Sequence, residues 1–287
     1  MIPLFDYKTP KTLKEACHLL WEAHGKAKII AGGTDLVIGL RNGDQNPQSL
    51  IDITNIPELR KIDEANGIVS IGAAVTHSEI ASSPIVEKYG KILSDAASEI
   101  GSPQIRNLGT IGGNMINASP AADTLPSLMV LDAMGRVMSK EGEREVPISQ
   151  LFKGPYETSI KTYELLVHIF FKKLPSDVRI AYIRLARREA MAIARMSVAI
   201  LLQMEKGRDR IKEIRISVGA VTPTPQRISE AETFLQGRPL DEASLKMASQ
   251  KISEAMIRRS GIRPSTSYKA SVAEALFIRA VRKALEE

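Results

Sequence analysis

Cysteine is all but missing from this chain, which has one, Cys17, in 287 residues. A lone thiol excludes an internal disulfide. It also excludes any iron–sulfur cluster held by this chain alone, because such clusters need several thiolates. Histidine is scarce as well, and His18, His24, His77 and His168 never fall at a close metal-ligand spacing, which argues against structural or catalytic zinc. Aromatic residues are 5% of the chain and no nucleic-acid-binding signature occurs, so the excess of 39 basic over 33 acidic residues is not read as a nucleic-acid surface. The resulting net charge of +6 suits an anionic cofactor or an acidic partner instead. No run approaches the roughly eighteen apolar residues of a membrane span. The N-terminal MIPLFDYKTP lacks the basic and apolar regions of a signal peptide, so a cytoplasmic location is expected.

Proportions of 44% hydrophobic and 25% charged residues are those of a folded globular protein, and they exclude disorder. In TLKEACHLLWEAHG, Thr12 and Glu15 have the spacing of a capping box, and Gly25 stands where a helix should stop. Leu13, Ala16, Cys17, Leu20 and Trp21 line one face, which makes Cys17 a small buried hydrophobe rather than a reactive thiol. KIIAGGTDLVIGLRNG then reads as a strand, a Gly-Gly turn and a helix from about Thr34, and SLIDIT as a second buried strand. Strand, helix and strand in that order predict a small α/β unit with parallel strands over residues 1–58.

Over residues 59–177 the pattern predicts a second unit richer in antiparallel strands. GIVSIGAAV reads as a strand. Thr76 and Glu79 in THSEI repeat the capping-box spacing, which puts His77 in a first helical turn as a solvated residue rather than a catalyst. Ser83-Pro84 opens another helix. SLMVLDAMGRVMSKEGEREVPI alternates as strands joined by turns, and ELLVHIFFKKL is a further strand. From residue 178 to 287, three strands (IAYIRLA, MSVAILLQME, IKEIRISVGAV), a break at PTPQR and three helices predict a separate α+β domain. The fold class is thus α+β, with a two-part first domain over residues 1–177, a small α/β unit and an antiparallel-rich α+β unit, followed by a C-terminal domain of three antiparallel strands and three helices.

Two glycine loops carry the functional reading, AGGTD at 31–35 and GTIGGN at 109–114. Bare main-chain amides can converge on phosphate oxygens, and a helix N-terminus adds favourable partial charge. Neither GxGxxG after the first strand nor GxxxxGK[ST] occurs, which disfavours a Rossmann site or a P-loop. Thr34, Asp35, Thr110, Asn114 and Asn117 flank the loops with short polar groups, and Asp123 can accept from a sugar hydroxyl. The ligand this implies is an elongated dinucleotide.

IIAGGTDL, IGAAVTHSEI and SPQIRNLGTIGGNMINASPAAD, with GAVTPTPQR and EAETFLQGRPL further on, resemble the flavin-binding subunit of the molybdenum hydroxylases. That family includes the medium subunits of carbon monoxide dehydrogenase and the flavin domain of xanthine dehydrogenase. The resemblance covers essentially the whole chain. It implies non-covalent FAD between the first two units, with Ile29, Ile30, Ala31, Gly32, Gly33, Thr34 and Asp35 on one side of the diphosphate. Thr110, Ile111, Gly112, Gly113 and Asn114 would lie on the other. It also implies Ile100 against the cofactor, Asp123 on one of its sugar-like hydroxyls, and Leu166 and Arg184 nearby. Arg184 stands where the family also uses lysine, which keeps the charge but not its geometry. Ile193 reads either as a loop residue covering one flavin face or as core packing; the family often has an acid just before it, where this chain has Ala192. The implied partners are a small subunit with two 2Fe-2S clusters and a large molybdopterin subunit, with NAD or another acceptor taking the electrons. No residue of this chain is assigned a catalytic role. Two other readings of the same residues are a stand-alone flavin reductase, for which no proton donor or sugar-nucleotide pocket stands out, and a nucleotide-binding or scaffold protein without redox function.

Overall fold

The computed structural model describes residues 4–188, 193–207 and 209–286. The first unit is β1 (Asp6–Lys8), α1 (Leu13–Glu22), β2 (Ala27–Ile30), α2 (Leu36–Asn42) and β3 (Ser49–Asp52). Its three strands pair in the order β1-β3-β2, all parallel, as the strand–helix–strand reading requires. Thr12 Oγ1 accepts from Glu15 N at 3.2 Å. The reciprocal bond goes one residue further upstream than a capping box, from Lys11 N to Glu15 Oε2 at 2.8 Å. Cys17 is buried, and burial pushes its thiol up to about 11, so it is an inert core residue.

The second unit contains β4 (Ile62–Ala65), β5 (Ile68–Gly72), α3 (His77–Ala81), α4 (Pro84–Ser98), α5 (Pro103–Leu108), α6 (Ile111–Asn117) and α7 (Thr124–Val130). It continues through β6 (Met134–Ser139), β7 (Gly142–Pro147), β8 (Phe152–Gly154), β9 (Glu157–Thr158) and β10 (Leu165–Lys172). An antiparallel sheet of order β4-β5-β10-β6-β7 forms its floor. Helix α4 leaves helical geometry at Gly90, where a Cβ would stand 2.6 Å from Phe171 Cζ on β10. The kink thus lets a buried aromatic pack against bare backbone. SLMV, expected as strand, lies in α7. All seven residues of that helix are buried, so it shows no amphipathic period by which sequence could tell it from a strand.

The last unit is β11 (Val178–Leu185), β12 (Met196–Met204), β13 (Ile211–Gly219), β14 (Gln226–Arg227), α8 (Ser229–Leu235), α9 (Glu242–Ser260) and α10 (Thr266–Glu286). Its four strands form one antiparallel sheet, the fourth being a two-residue pairing inside the segment read as a break. The helices bury Leu245, Ile252, Phe277 and Val281 against the inner face of β12 and β13, and that core is separate from the one shared by the first two units. Strand β11 is common to both: Ala181 faces the helices, while Ile180 and Tyr182 face the first two units. Alternation along a single strand therefore locks the two halves together. Among the described residues, no helix is long and apolar enough to cross a membrane.

Candidate cofactor-binding site

Strand β2 sets the position of the first loop. It runs parallel to β3 with Ile30 opposite Asp52, then gives way to Ala31–Asp35 before α2 begins. Gly33 has φ +69°, a left-handed conformation that a side chain would strain. Its carbonyl accepts from Val37 N at 2.9 Å and closes the first turn of α2. Among the described residues, none accepts a hydrogen bond from the amides of Gly32, Gly33, Thr34 or Asp35.

The second loop is held more tightly. Thr110 is the N-cap of α6, and its Oγ1 accepts from Gly113 N at 3.1 Å. Ile111 N donates to Val75 O at 3.0 Å, Gly112 N to Ala73 O at 2.9 Å and Asn114 N to Thr110 O at 2.9 Å. Gly112 is required by packing, because a Cβ there would lie 2.7 Å from both Ala73 O and Ala73 Cβ. Gly113 differs: a Cβ would meet only Thr110 Oγ1, at 3.0 Å, and otherwise open space. The Asn114 carboxamide oxygen accepts from Thr124 Oγ1 at 2.6 Å, which ties α6 to the start of α7.

The loops touch. A Cβ on Gly32 would stand 1.8 Å from Leu108 O and 3.0 Å from Gly109 Cα, so the first loop lies directly on the main chain that leads into the second. Thr34 Oγ1 is likewise 3.6 Å from the Cβ position of Gly109. Bare amides on one side and the open face of Gly113 on the other fit a diphosphate-bearing group. They are also unequal: among the described residues, the amides still available to a ligand are those of 32–35 on the first loop and of Thr110 alone on the second, since the protein itself uses those of Ile111, Gly112, Gly113 and Asn114.

His77 corrects an expectation. It is 2% exposed rather than solvated, because α3 packs beneath the junction and His77 N donates to Gly109 O at 3.0 Å. Its ring Cδ2 lies 3.3 Å from the Gly109 Cβ position, and its Nδ1 is buried without a hydrogen-bond partner. Burial, reinforced by the cation of Arg106, pushes its pKa down to about 4, so the ring is neutral at physiological pH.

Asp123, at the entrance to α7, is buried, and its Oδ1 accepts from Tyr182 Oη at 3.0 Å. Arg184 Nε is 3.4 Å from the same oxygen, and Arg184 Nη1 donates to Glu99 O at 2.8 Å. Burial pushes the Asp123 carboxyl up to about 6, with Arg184 and Tyr182 pulling against it. Tyr182 and Arg184 are alternate residues of β11 and share one face, so the third unit reaches across to Asp123 with both. Ile100 follows Glu99 directly, and its carbonyl accepts from Arg106 Nη1 at 2.9 Å. Leu166 is a core residue of β10, 3% exposed, with Cδ1 3.1 Å from the Cβ position of Gly135. Ile193 is 82% exposed, which overturns the core-packing reading. Ala192 lies outside the described residues. Sequence reasoning passed over Tyr182, Glu99 and the buried state of His77. The first had a signal, its period-two relation to Arg184; the other two depend on non-local packing.

Fold and site together define a chain of two packed first units and a third, with bare main-chain amides and glycines at the junction of the first two that suit a phosphate-bearing cofactor. Comparison with known proteins says which. Residues 3–173 match the family described as the FAD binding domain in molybdopterin dehydrogenase, and residues 181–284 match the carbon monoxide dehydrogenase flavoprotein C-terminal domain. A xanthine dehydrogenase FAD-binding subunit of Escherichia coli is 32% identical over 99% of this chain and 97% of its own length. The carbon monoxide dehydrogenase medium chain of Hydrogenophaga pseudoflava is 31% identical over 98% and 97%. In three dimensions the carbon monoxide dehydrogenase structure from Hydrogenophaga pseudoflava superposes with a TM-score of 0.93 at 30% identity, covering 100% of this chain and 99% of that one. Quinoline 2-oxidoreductase from Pseudomonas putida 86 gives 0.91 at 31%, covering 100% and 98%. The chain belongs to the FAD-binding subunits of the molybdenum hydroxylases, and is an oxidoreductase component whose cofactor is FAD.

Proposed function

We propose that this chain is the electron-relay subunit of a molybdopterin dehydrogenase complex, with Ile29–Asp35 and Thr110–Asn114 on either side of the FAD diphosphate. The observation that carries this reading is the contact of Gly32 with the Leu108–Gly109 main chain, beside amides that no group among the described residues uses. The amides of residues 32–35 hold phosphate oxygens, the bare face of Gly113 permits close approach, and Thr34 and Asn114 add short polar groups. With a pKa of about 6, Asp123 is mostly ionised at neutral pH and accepts from a cofactor hydroxyl; Arg184 favours that ionised form. Ile100 and Ile193 flank the ring system, and Leu166 supports it from the core. Ile38, Ile105, Leu108 and Ile116, exposed on the helices beside the loops, suit an apolar ring or a partner surface.

When bound, FAD supplies the means to exchange electrons singly or in pairs, and so links one-electron carriers to two-electron acceptors. One cysteine cannot hold a cluster, so electrons reach this chain from a small partner subunit carrying 2Fe-2S centres. A large partner holds the molybdopterin and recognises the substrate, and NAD or another carrier takes the electrons away. The medium chains and FAD-binding subunits among the relatives support such an assembly. No side chain here need act as acid or base.

The test is direct. Purified chain should be yellow and should release FAD on denaturation, and its flavin absorbance should bleach only when the two partner subunits and their substrate are added. Addition of NAD should then restore the colour if NAD is the acceptor. A flavin that stays oxidised in the complete, substrate-fed complex overturns the relay role.

A further inference from the structure

A cavity of about 150 Å³ lies between Pro120 and Pro155 of the second unit and the Ala220–Pro223 turn, Ser260, Arg263 and Lys269 of the third. The backbone at and beside its walls is unusual. Ala220 at φ +63°, Ala118 at φ +49° and Tyr156 at φ +60° are non-glycine residues in the left-handed region. They are linked across the unit boundary and along its rim by Ala220 N to Pro120 O and Tyr156 N to Ala118 O, both 2.9 Å. Strain of this kind persists only where the surroundings enforce it, and it gathers at ligand sites.

The electrostatics give the cavity a sign. No carboxylate lines it. Lys269 Nζ donates to Ala220 O at 2.9 Å, leaving two ammonium protons for other acceptors. Burial lowers the Lys269 pKa, and the charges acting on it, Arg263 and Arg195, are both cations. Among the described residues neither arginine side chain has an acidic partner. Thr222, Ser260, Ser265 and Thr266 add hydroxyls, and the 21-residue helix α10 opens its positive end at Thr266. Two cations, Arg263 and Lys269, in a hydroxyl-lined hollow without a carboxylate call for an anion with several acceptor oxygens.

We propose that this cavity is a phosphate-binding site, separate from the glycine loops, that seats one phosphate group between Lys269 and Arg263. Its volume is below the roughly 300 Å³ at which small-molecule pockets begin. A free phosphate therefore fits whole, whereas a nucleotide would insert only a terminal phosphate and leave the rest outside.

The experiment is calorimetric titration of the FAD-loaded full-length chain with inorganic phosphate and, separately, with ADP, at ionic strength matched with chloride. Keeping FAD bound keeps the glycine loops filled, so the outcome does not depend on how they grip it. One phosphate per chain is expected, weakened at least fivefold by Arg263→Ala, whose exposed side chain is dispensable for folding, and abolished by Lys269→Met. ADP binding at least tenfold tighter than phosphate, with the same dependence on both variants, would identify a nucleotide as the source; equal or weaker ADP binding would identify free phosphate. Absence of saturable binding overturns the proposal. So does binding that both variants leave intact, or that Gly113→Leu removes while Arg263→Ala does not.

Discussion

Gly32 and Gly113 look alike in sequence, each the second or third small residue of a loop, and their replacement should have opposite signatures. At Gly113, the third residue of α6, a Cβ meets only the Thr110 hydroxyl, at 3.0 Å. Alanine there gains roughly 0.8–1 kcal/mol of helix propensity. Displacing the Thr110 cap costs roughly 0.5–2 kcal/mol. Gly113→Ala should therefore leave stability within about 1 kcal/mol of the parent. At Gly32 the Cβ would stand 1.8 Å from a main-chain oxygen, which no rotamer change can relieve, so the loops must separate at a cost of about 1–3 kcal/mol or more. Urea unfolding should show this difference, with FAD retention followed in parallel by equilibrium dialysis and flavin fluorescence. Gly113→Ala should weaken FAD about tenfold and Gly113→Leu about 100-fold at near-parental stability, which is about 1.4 and 2.8 kcal/mol of binding. Gly32→Ala should lose stability and FAD together. If Gly113→Leu holds FAD as tightly as the parent, the cofactor does not approach that face of α6 and the assignment of the second loop fails.

Two buried groups should give opposite pH responses in the FAD-free chain. His77, with its pKa lowered from 6.5 to about 4, contributes stability that is present above pH 6.5 and lost as pH falls toward 4; that is about 3 kcal/mol by linkage. His77→Gln should remove this dependence in urea midpoints taken at pH 7 and 4.5, and an unchanged difference between those midpoints would refute it. Asp123, raised from 3.8 to about 6, works the other way: its contribution is present below pH 4 and lost as pH rises through 6, again by about 3 kcal/mol. Asp123→Asn should therefore make stability rise more steeply with pH than in the parent, and the same or a shallower slope would count against it. Tyr182→Phe deletes the hydrogen bond to Asp123 and should push that carboxyl still higher, so FAD retention at pH 7 should fall and recover at pH 8. Arg184→Met should do the same more strongly than Arg184→Lys, since lysine keeps the nearby charge; equal effects would point to packing alone.

The gross architecture was legible because its signals are local. Capping residues at Thr76 and Ser83 and the three-strand, three-helix run of the last unit each rest on a few neighbouring residues whose preferences agree with the fold, although α1 ends at Glu22 with Ala23 as its cap, short of the expected stop at Gly25. The failures share a cause. Helix α7 is buried on all sides and has no polar face to set a period, and β14 is a two-residue pairing that takes its order from β13. His77 carries a correct capping signal, yet its burial is imposed by Gly109, thirty-two positions away in the chain. The site divides along the same line. A sequence can show that glycine stands at 32, 112 and 113, but which bareness serves the protein and which serves a ligand depends on what lies opposite. Opposite Gly32 is the backbone of Leu108, opposite Gly112 that of Ala73, and opposite Gly113 open space. Two of the three glycines therefore serve the packing of the loops, and the third, with the amides of 32–35, is the one the proposed binding mode leaves to face the cofactor. A motif match weighs all of them equally, whereas geometry gives each a separate and measurable consequence.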